Sequence, residues 1–429
     1  MSLVLCFSAV MAVAQPLSPT APTMTATLSG ASAAAPFDAD AATAAYLATM
    51  TPAAKLRSDR YFEGGYWLIL WDALITLGVC ALLLTTQWSV RMRAAAERLT
   101  RRKWLQTMLF GVQYVVVSTL IVLPWSAYEG YFREHQYGMS NLSFLAWLGE
   151  QGKALLLTML FGTLALTAIY AVIRRVPKTW WLWGSAVMVL FMMAGAAIGP
   201  TYLEPVFNKF YPLADSPLKQ DILSLARANS IPANQVYAYD ASRQTTKVSA
   251  HVSGMFGSVQ ISLNDNLLNR STPAEVKAVL GHEMGHYVLN HMYKGLVWAS
   301  IVIVVGFAWL AFAYGRVQAR YAHRWGIGGV SDVAGLPLLL ALFTVYSFLL
   351  TPLENTVSRT MEAEADAFGL NAAREPDGFA QAALALSDYR KMSPAAIEEV
   401  IFYDHPSGWN RIHRAMVWKA ESLRPQGTH

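Results

Sequence analysis

Cysteine is nearly missing from these 429 residues: Cys6 and Cys80 are the only two, each inside an apolar run, which excludes a disulfide framework and a thiolate metal site. Charge is scarce as well. Only 14% of residues are Asp, Glu, Lys or Arg while 54% are hydrophobic, and a mean hydropathy of +0.31 is unlike that of a soluble domain. The formal charge of +5 does not describe a nucleic-acid surface, because the basic residues gather in short stretches between apolar segments. There is no glycine-rich phosphate loop and no internal repeat, so neither a nucleotide cradle nor a solenoid is expected. What remains is a predominantly α, polytopic helical membrane protein.

A helix needs about 20 apolar residues to cross the hydrocarbon core, where lipid offers its backbone no other hydrogen-bond partner. Six segments meet this, near residues 65–87, 105–125, 154–173, 180–200, 295–315 and 334–352. Tyr66, Trp67, Trp180, Trp181 and Trp183 sit at span ends, where amphipathic rings favour the headgroup layer. Arg91, Arg93, Arg98, Arg101, Arg102 and Lys103 follow the first span, and Arg174, Arg175 and Lys178 follow the third. Arg316, Arg320, His323 and Arg324 follow the fifth. Excess Lys and Arg marks cytoplasmic loops, so the three loops agree on one orientation. That orientation places the N-terminus, residues 201–293 and residues 353–429 on the opposite face, which is periplasmic if the bilayer is a bacterial inner membrane.

Six stretches follow: a signal-like segment (1–14), either cleaved after Ala12-Val13-Ala14 or retained, and an N-terminal extramembrane segment (15–63). Four spans occupy 64–200, a first polar piece 201–293, a membrane hairpin 294–352 and a second polar piece 353–429, the two polar pieces reading as parts of one domain. Within 15–63, the Pro, Ser and Thr stretch to Pro36 reads as disordered, and an Ala-rich helical segment follows to about Arg60. In the first polar piece, Leu218 to Asn229 has helical spacing, while Val236 to Tyr239 and Gly257 to Leu263 read as strands.

Thr272-Pro273-Ala274-Glu275 offers an N-cap, a proline at the first helical position and a Glu at the third, the signature of a helix start. On that helix come His282-Glu283-Met284-Gly285-His286, whose two histidines lie one turn apart on a single face. Two imidazoles so placed can reach one zinc ion, and a catalytic zinc needs a third protein ligand with a fourth position left to water. Glu283 lies beside the ion without binding it, placed to take a proton from the water whose pKa the metal lowers. His291, nine residues from His282, falls about half a turn out of phase on a continued helix and is expected to point away from the ion.

The third ligand is sought in Ser358 to Asp366, the densest carboxylate cluster of the second piece. On a helix, Glu362 and Asp366 share a face and Glu364 does not. Glu362 is therefore assigned to the metal and Asp366 to the far nitrogen of His282. His405 and Arg411, in His405-Pro406-Ser407-Gly408-Trp409-Asn410-Arg411, are either hydrogen-bond donors to a tetrahedral oxyanion or ordinary structural residues. A zinc-binding membrane scaffold or transporter without catalysis is the competing reading.

With these residues in hand, the chain resembles the type I CAAX prenyl endopeptidase family of membrane zinc proteases from about residue 105 to 415. The likeness rests on Leu123-Pro124-Trp125-Ser126, Glu204 to Phe210, His282 to His286, Ser358 to Asp366, and His405-Pro406 with Arg411-Ile412. It implies a gluzincin-type metalloprotease domain, mostly helical with a small sheet, split by the membrane hairpin and served by a helix-enclosed chamber. Glu283 is then the general base, Glu362 the third ligand of one zinc ion per chain, Asp366 an orienting or catalytic acid, and His405 with Arg411 substrate or oxyanion contacts. Ser253, Gly254 and Met255 lie in the counterpart of the family's substrate-pairing strand, where the family usually has Asn-Ala in place of Ser253-Gly254. The expected partners are the bilayer and a peptide or protein substrate, membrane-associated or of CAAX type. Eukaryotic relatives have seven membrane helices where six are read here, so the face served by the site can differ.

Overall fold

The computed structural model describes residues 37–254 and 259–423; the signal-like start, the stretch after it to Pro36, and Met255 lie outside the described residues. In chain order come α1 (Ala39–Ala48), α2 (Pro52–Thr85), α3 (Trp88–Leu99), α4 (Lys103–Gln136), α5 (Phe144–Arg175) and α6 (Trp180–Phe207). Then follow β1 (Phe210–Pro212), α7 (Pro217–Ala228), β2 (Val236–Tyr239), β3 (Ala250–Ser253), β4 (Gln260–Asn264), α8 (Asp265–Arg270) and α9 (Pro273–Val288). The described chain closes with α10 (His291–Trp325), α11 (Leu336–Ala373), α12 (Pro376–Ala385), α13 (Ala396–Phe402) and α14 (Gly408–Ser422).

Two units form. The first comprises Tyr66–Phe207 and Met292–Thr351. Among the described residues, six helices are long and apolar enough to cross a membrane: α2, α4, α5, α6, α10 and α11 with the turn before it. They run for 28 to 41 residues, longer than the spans read from hydropathy. The excess is polar sequence that goes on as helix because Ala, Glu, Arg and Leu are good helix formers, so hydropathy marks the lipid-facing part of a helix and not its ends. Leu83, Phe110, Tyr170 and Ile173 form the fully buried centre of this unit, while Leu120, Leu190, Val297 and Leu349 stay exposed as a lipid-facing surface requires. Arg174 Nη2 donates to Thr107 Oγ1 at 2.8 Å, tying the end of α5 to the start of α4.

The second unit comprises Asn208–His291, the chain from Pro352 on, and the described residues before Tyr66. Its four-stranded sheet has the order β1-β2-β4-β3. β2 pairs parallel with β4, from Val236 opposite Ile261 to Tyr239 opposite Asn264, and antiparallel with β1. β3 pairs antiparallel with β4, from Ala250 opposite Leu263 to Ser253 opposite Gln260, and so forms one margin of the sheet. Val236, Ile261 and Leu263 are wholly buried against Ile222 of α7 and Leu280 and Met284 of α9. A second apolar cluster joins Ala278 of α9, Leu370 of α11, Phe379 and Ala383 of α12, and Ile412 and Met416 of α14. α1 closes over that cluster with Tyr46 and Leu47, and Tyr46 Oη donates to Asp377 at 2.8 Å.

Candidate metal centre

The helix that presents the two histidines starts where the sequence says it should. Thr272 Oγ1 accepts from the Glu275 backbone N–H at 3.3 Å, and the Thr272 N–H donates to Glu275 Oε2 at 2.6 Å, with Pro273 at the first position. The carboxylate segment needs no separate start, since Glu362 and Asp366 lie on α11, the helix that contains the sixth span. A proline stands inside this helix at Pro352, where it removes one backbone hydrogen bond without ending the helix.

α9 and α11 cross at four small residues, which brings the ligands together. A Cβ on Gly369 would meet the His282 backbone nitrogen at 2.7 Å, one on Gly281 the Gly369 carbonyl at 3.0 Å, and one on Gly285 the Ala365 Cα at 3.1 Å. These neighbours are backbone atoms and cannot swing aside. Gly281 and Gly285, and likewise Ala365 and Gly369, are four residues apart on one helical face, a small-residue spacing present in the sequence beside the histidine motif but not read from it. Gly369→Ala is therefore expected to cost about 1–3 kcal/mol by overpacking and to weaken zinc binding by separating Glu362 from the histidines. Thermal unfolding together with zinc competition titration tests this, and wild-type affinity in the variant would count against the crossing as the positioning device.

The three proposed ligand groups converge. His282 Nε2 lies 3.1 Å from His286 Nε2 and 3.1 Å from Glu362 Oε2, and His286 Nε2 lies 3.5 Å from Glu362 Oε1. Tetrahedral ligands held at about 2.0–2.1 Å from zinc stand about 3.3 Å from each other, and the spacing of the two imidazoles and of each imidazole from the nearer Glu362 oxygen is of that size. The chemistry of the donors agrees. Two imidazole nitrogens and a carboxylate are ordinary zinc ligands, and Glu362 Oε2 is buried without forming a hydrogen bond although two imidazoles approach it, as expected of an oxygen reserved for a cation.

Behind the ligands stands a second set of charges. Asp366, with no solvent exposure, lies 2.8 Å from His282 Nδ1 through Oδ1, which leaves Nε2 free to turn toward the metal position. Burial opposes a charged His282 ring, but the neighbouring Asp366 and Glu362 carboxylates outweigh it and push the imidazole up to about 10, so a proton and a metal ion compete for the ring. Arg411 grips Asp366 from the other side, Nε to Oδ2 at 3.0 Å and Nη2 to Oδ1 at 2.5 Å, and Arg414 Nη1 adds a contact at 3.3 Å. Two nitrogens of Arg411 are thus committed to Asp366.

Glu283 is partly buried beside the histidines; burial pushes its carboxyl above the ordinary carboxylate range, against the pull of His282 and His286. His405 Nε2 approaches Glu362 Oε2 at 3.3 Å while its Nδ1 meets Asp404 at 2.8 Å. The loop that carries it is pinned by Arg359 of α11, whose Nη1 donates to the Tyr403 and Glu399 carbonyls, and Ser407 then caps α14. Ser253 ends β3, and Gly254 follows with φ +139°, a backbone region that L side chains rarely adopt, which gives a local reason for glycine where the related family has Ala.

His291 is not among the converging ligand groups, as expected, but helical phase is not the reason. α9 ends at Val288, and Asn290 takes a left-handed φ of +59°, so the chain turns and helical phase no longer applies beyond that point. His291 Nδ1 comes back to 3.0 Å from His286 Nδ1, and its Nε2 lies 3.0 Å from Glu364.

Known proteins resemble this chain over most of its length. The model of peptidase family M48 matches residues 212–419, and that of the CAAX prenyl protease N-terminal region, described as five membrane helices, matches 41–209. The chain is 32% identical over 335 residues to the metalloprotease YhfN of Bacillus subtilis, covering 78% of each. It is 30% identical over 269 residues to CAAX prenyl protease 1 of Saccharomyces cerevisiae, with 59% of each chain covered. The crystal structure of S. mikatae Ste24p superposes with a TM-score of 0.73 at 22% identity, over 86% of this chain and 89% of that one. With the His-Glu-x-x-His helix and its distant glutamate in place, the chain belongs to peptidase family M48, membrane metallopeptidases that hydrolyse peptide bonds.

Proposed function

We propose that this protein is a zinc-dependent endopeptidase of a bacterial inner membrane, with its two enzymatic pieces (201–293 and 353–429) acting as one catalytic domain on the periplasmic side. The observation that carries the reading is the convergence of His282, His286 and Glu362, whose ligand atoms lie within 4.8 Å of each other. Zinc held there would polarise the scissile carbonyl and lower the pKa of the attacking water. Glu283 takes the proton from that water and returns it to the leaving amine, a role that suits a carboxyl held above its ordinary range. In its doubly protonated form His405 donates from Nδ1 to Asp404 and from Nε2 to the developing oxyanion. Arg411 acts through Asp366, which holds His282 in its metal-binding tautomer.

Substrate binds extended, as a strand added at β3, with backbone pairing along Ala250 to Ser253 and continuing toward Gly254 and Met255. Membrane-associated peptides are the expected class, and peptides ending in a prenylated Cys and three further residues are an activity to test alongside them. The full chain in detergent, incubated with a peptide library and with a farnesylated peptide, is expected to cleave internal bonds, to stop with a zinc chelator and to resume when zinc is restored. Cleavage indifferent to chelation, or none from any peptide in the zinc-loaded protein, would overturn this reading.

A further inference from the structure

We propose that His291 and Glu364 form a positioning relay for the second metal-binding histidine: Glu364 holds His291, and His291 holds His286 with Nε2 toward the ion. The inference rests on the reading of His286 as a zinc ligand. A metal takes the lone pair of His286 Nε2, the nitrogen that faces His282 and Glu362, so the proton of that neutral ring is on Nδ1. His286 Nδ1 must then donate, and the atom 3.0 Å away, His291 Nδ1, must accept. With its Nδ1 accepting, a neutral His291 carries its proton on Nε2, where Glu364 Oε2 waits at 3.0 Å. Every proton in this chain has one place. The ring centroids stand 5.0 Å apart with the planes at 75°.

The two histidine ligands are thus supported differently. Asp366 reaches His282 directly from α11, whereas Glu364, pointing off the other side of α11, reaches His286 only through His291. Such a relay needs His291 to return toward α9, and the left-handed Asn290 turn provides that return. His291 is 4% exposed, so its hydrogen bonds are largely free of competition from solvent. Glu364, with its side chain 45% exposed, sits at the outer end of the relay.

The test uses the full chain in detergent, with zinc affinity read by chelator competition and cobalt(II) absorption as a signature of ligand geometry. His291→Leu, which keeps bulk but removes the acceptor, is expected to weaken zinc binding about 10–100-fold and to change the cobalt spectrum. His291→Asn, whose side-chain oxygen can stand near Nδ1, is expected to restore both. Wild-type zinc affinity and cobalt spectrum in His291→Leu would overturn the proposal. If that variant does not fold, Glu364→Ala decides, with weakened binding expected and unchanged binding contradicting the relay. His286→Ala separates the two levels: unchanged zinc binding there would remove the metal site itself, whereas binding lost in His286→Ala but intact in His291→Leu would remove the relay alone.

Discussion

Glu283→Gln is expected to lower kcat by about 10²–10⁴-fold, or about 3–5 kcal/mol of activation free energy, while the protein still carries one zinc ion per chain. Gln has nearly the shape of Glu and can hydrogen-bond a water, but it cannot take a proton from it. Neither histidine nor Glu362 is altered, so the metal position keeps its ligands. The paired readout is turnover of a cleaved peptide and zinc content by elemental analysis. Full turnover would remove Glu283 as the base, and loss of zinc would show that its carboxylate helps to hold the metal.

Asp366→Ala is expected to damage both the fold and the site. Asp366 has no solvent exposure and is held by Arg411 from one side and His282 from the other. Removing it leaves the Arg411 guanidinium buried with its principal partner gone, a loss of about 3–5 kcal/mol by analogy with other broken buried pairs. It also releases His282 Nδ1, and losing the carboxylate that orients a ligand histidine usually costs about 10–100-fold in metal affinity. Arg414, whose own contact to Asp366 is 3.3 Å, cannot compensate, since it too is a cation. Asp366→Asn keeps the shape and one acceptor, so it should fall between wild type and Ala in both unfolding midpoint and zinc affinity. Equal stability in all three proteins would mean that the buried pair contributes nothing net.

Six candidate spans and the histidine pair were legible in the sequence because each has a short-range signature: a run of apolar residues, or two histidines one helical turn apart. Glu362 was legible for a weaker reason, its place in a dense carboxylate segment, and the helix that carries it proved continuous with the sixth span. His291 shows where such reading ends. Counting helical phase from His282 assumes that the helix goes on, and the helix stops at Val288. The Asn290 turn that redirects the chain leaves no periodic trace, so the residue expected to point away stands against a ligand histidine. The small residues at the α9–α11 crossing were in view as Gly281, Gly285, Ala365 and Gly369, but their meaning depends on which helices meet, and a single helix does not state its neighbour. The same holds for α1, read as an Ala-rich helical stretch, whose contacts with Asp377 and the α12–α14 cluster link residues more than 300 positions apart.

The catalytic proposal needs one metal ion at one place. Crystals of zinc-loaded Glu283→Gln protein, measured at the zinc absorption edge, locate that ion by its anomalous signal without any assumption about activity. Expected is a single strong peak at about 2.0–2.2 Å from His282 Nε2, His286 Nε2 and a Glu362 oxygen. A peak bound by other residues, or one from which Glu362 is out of reach, would contradict the site.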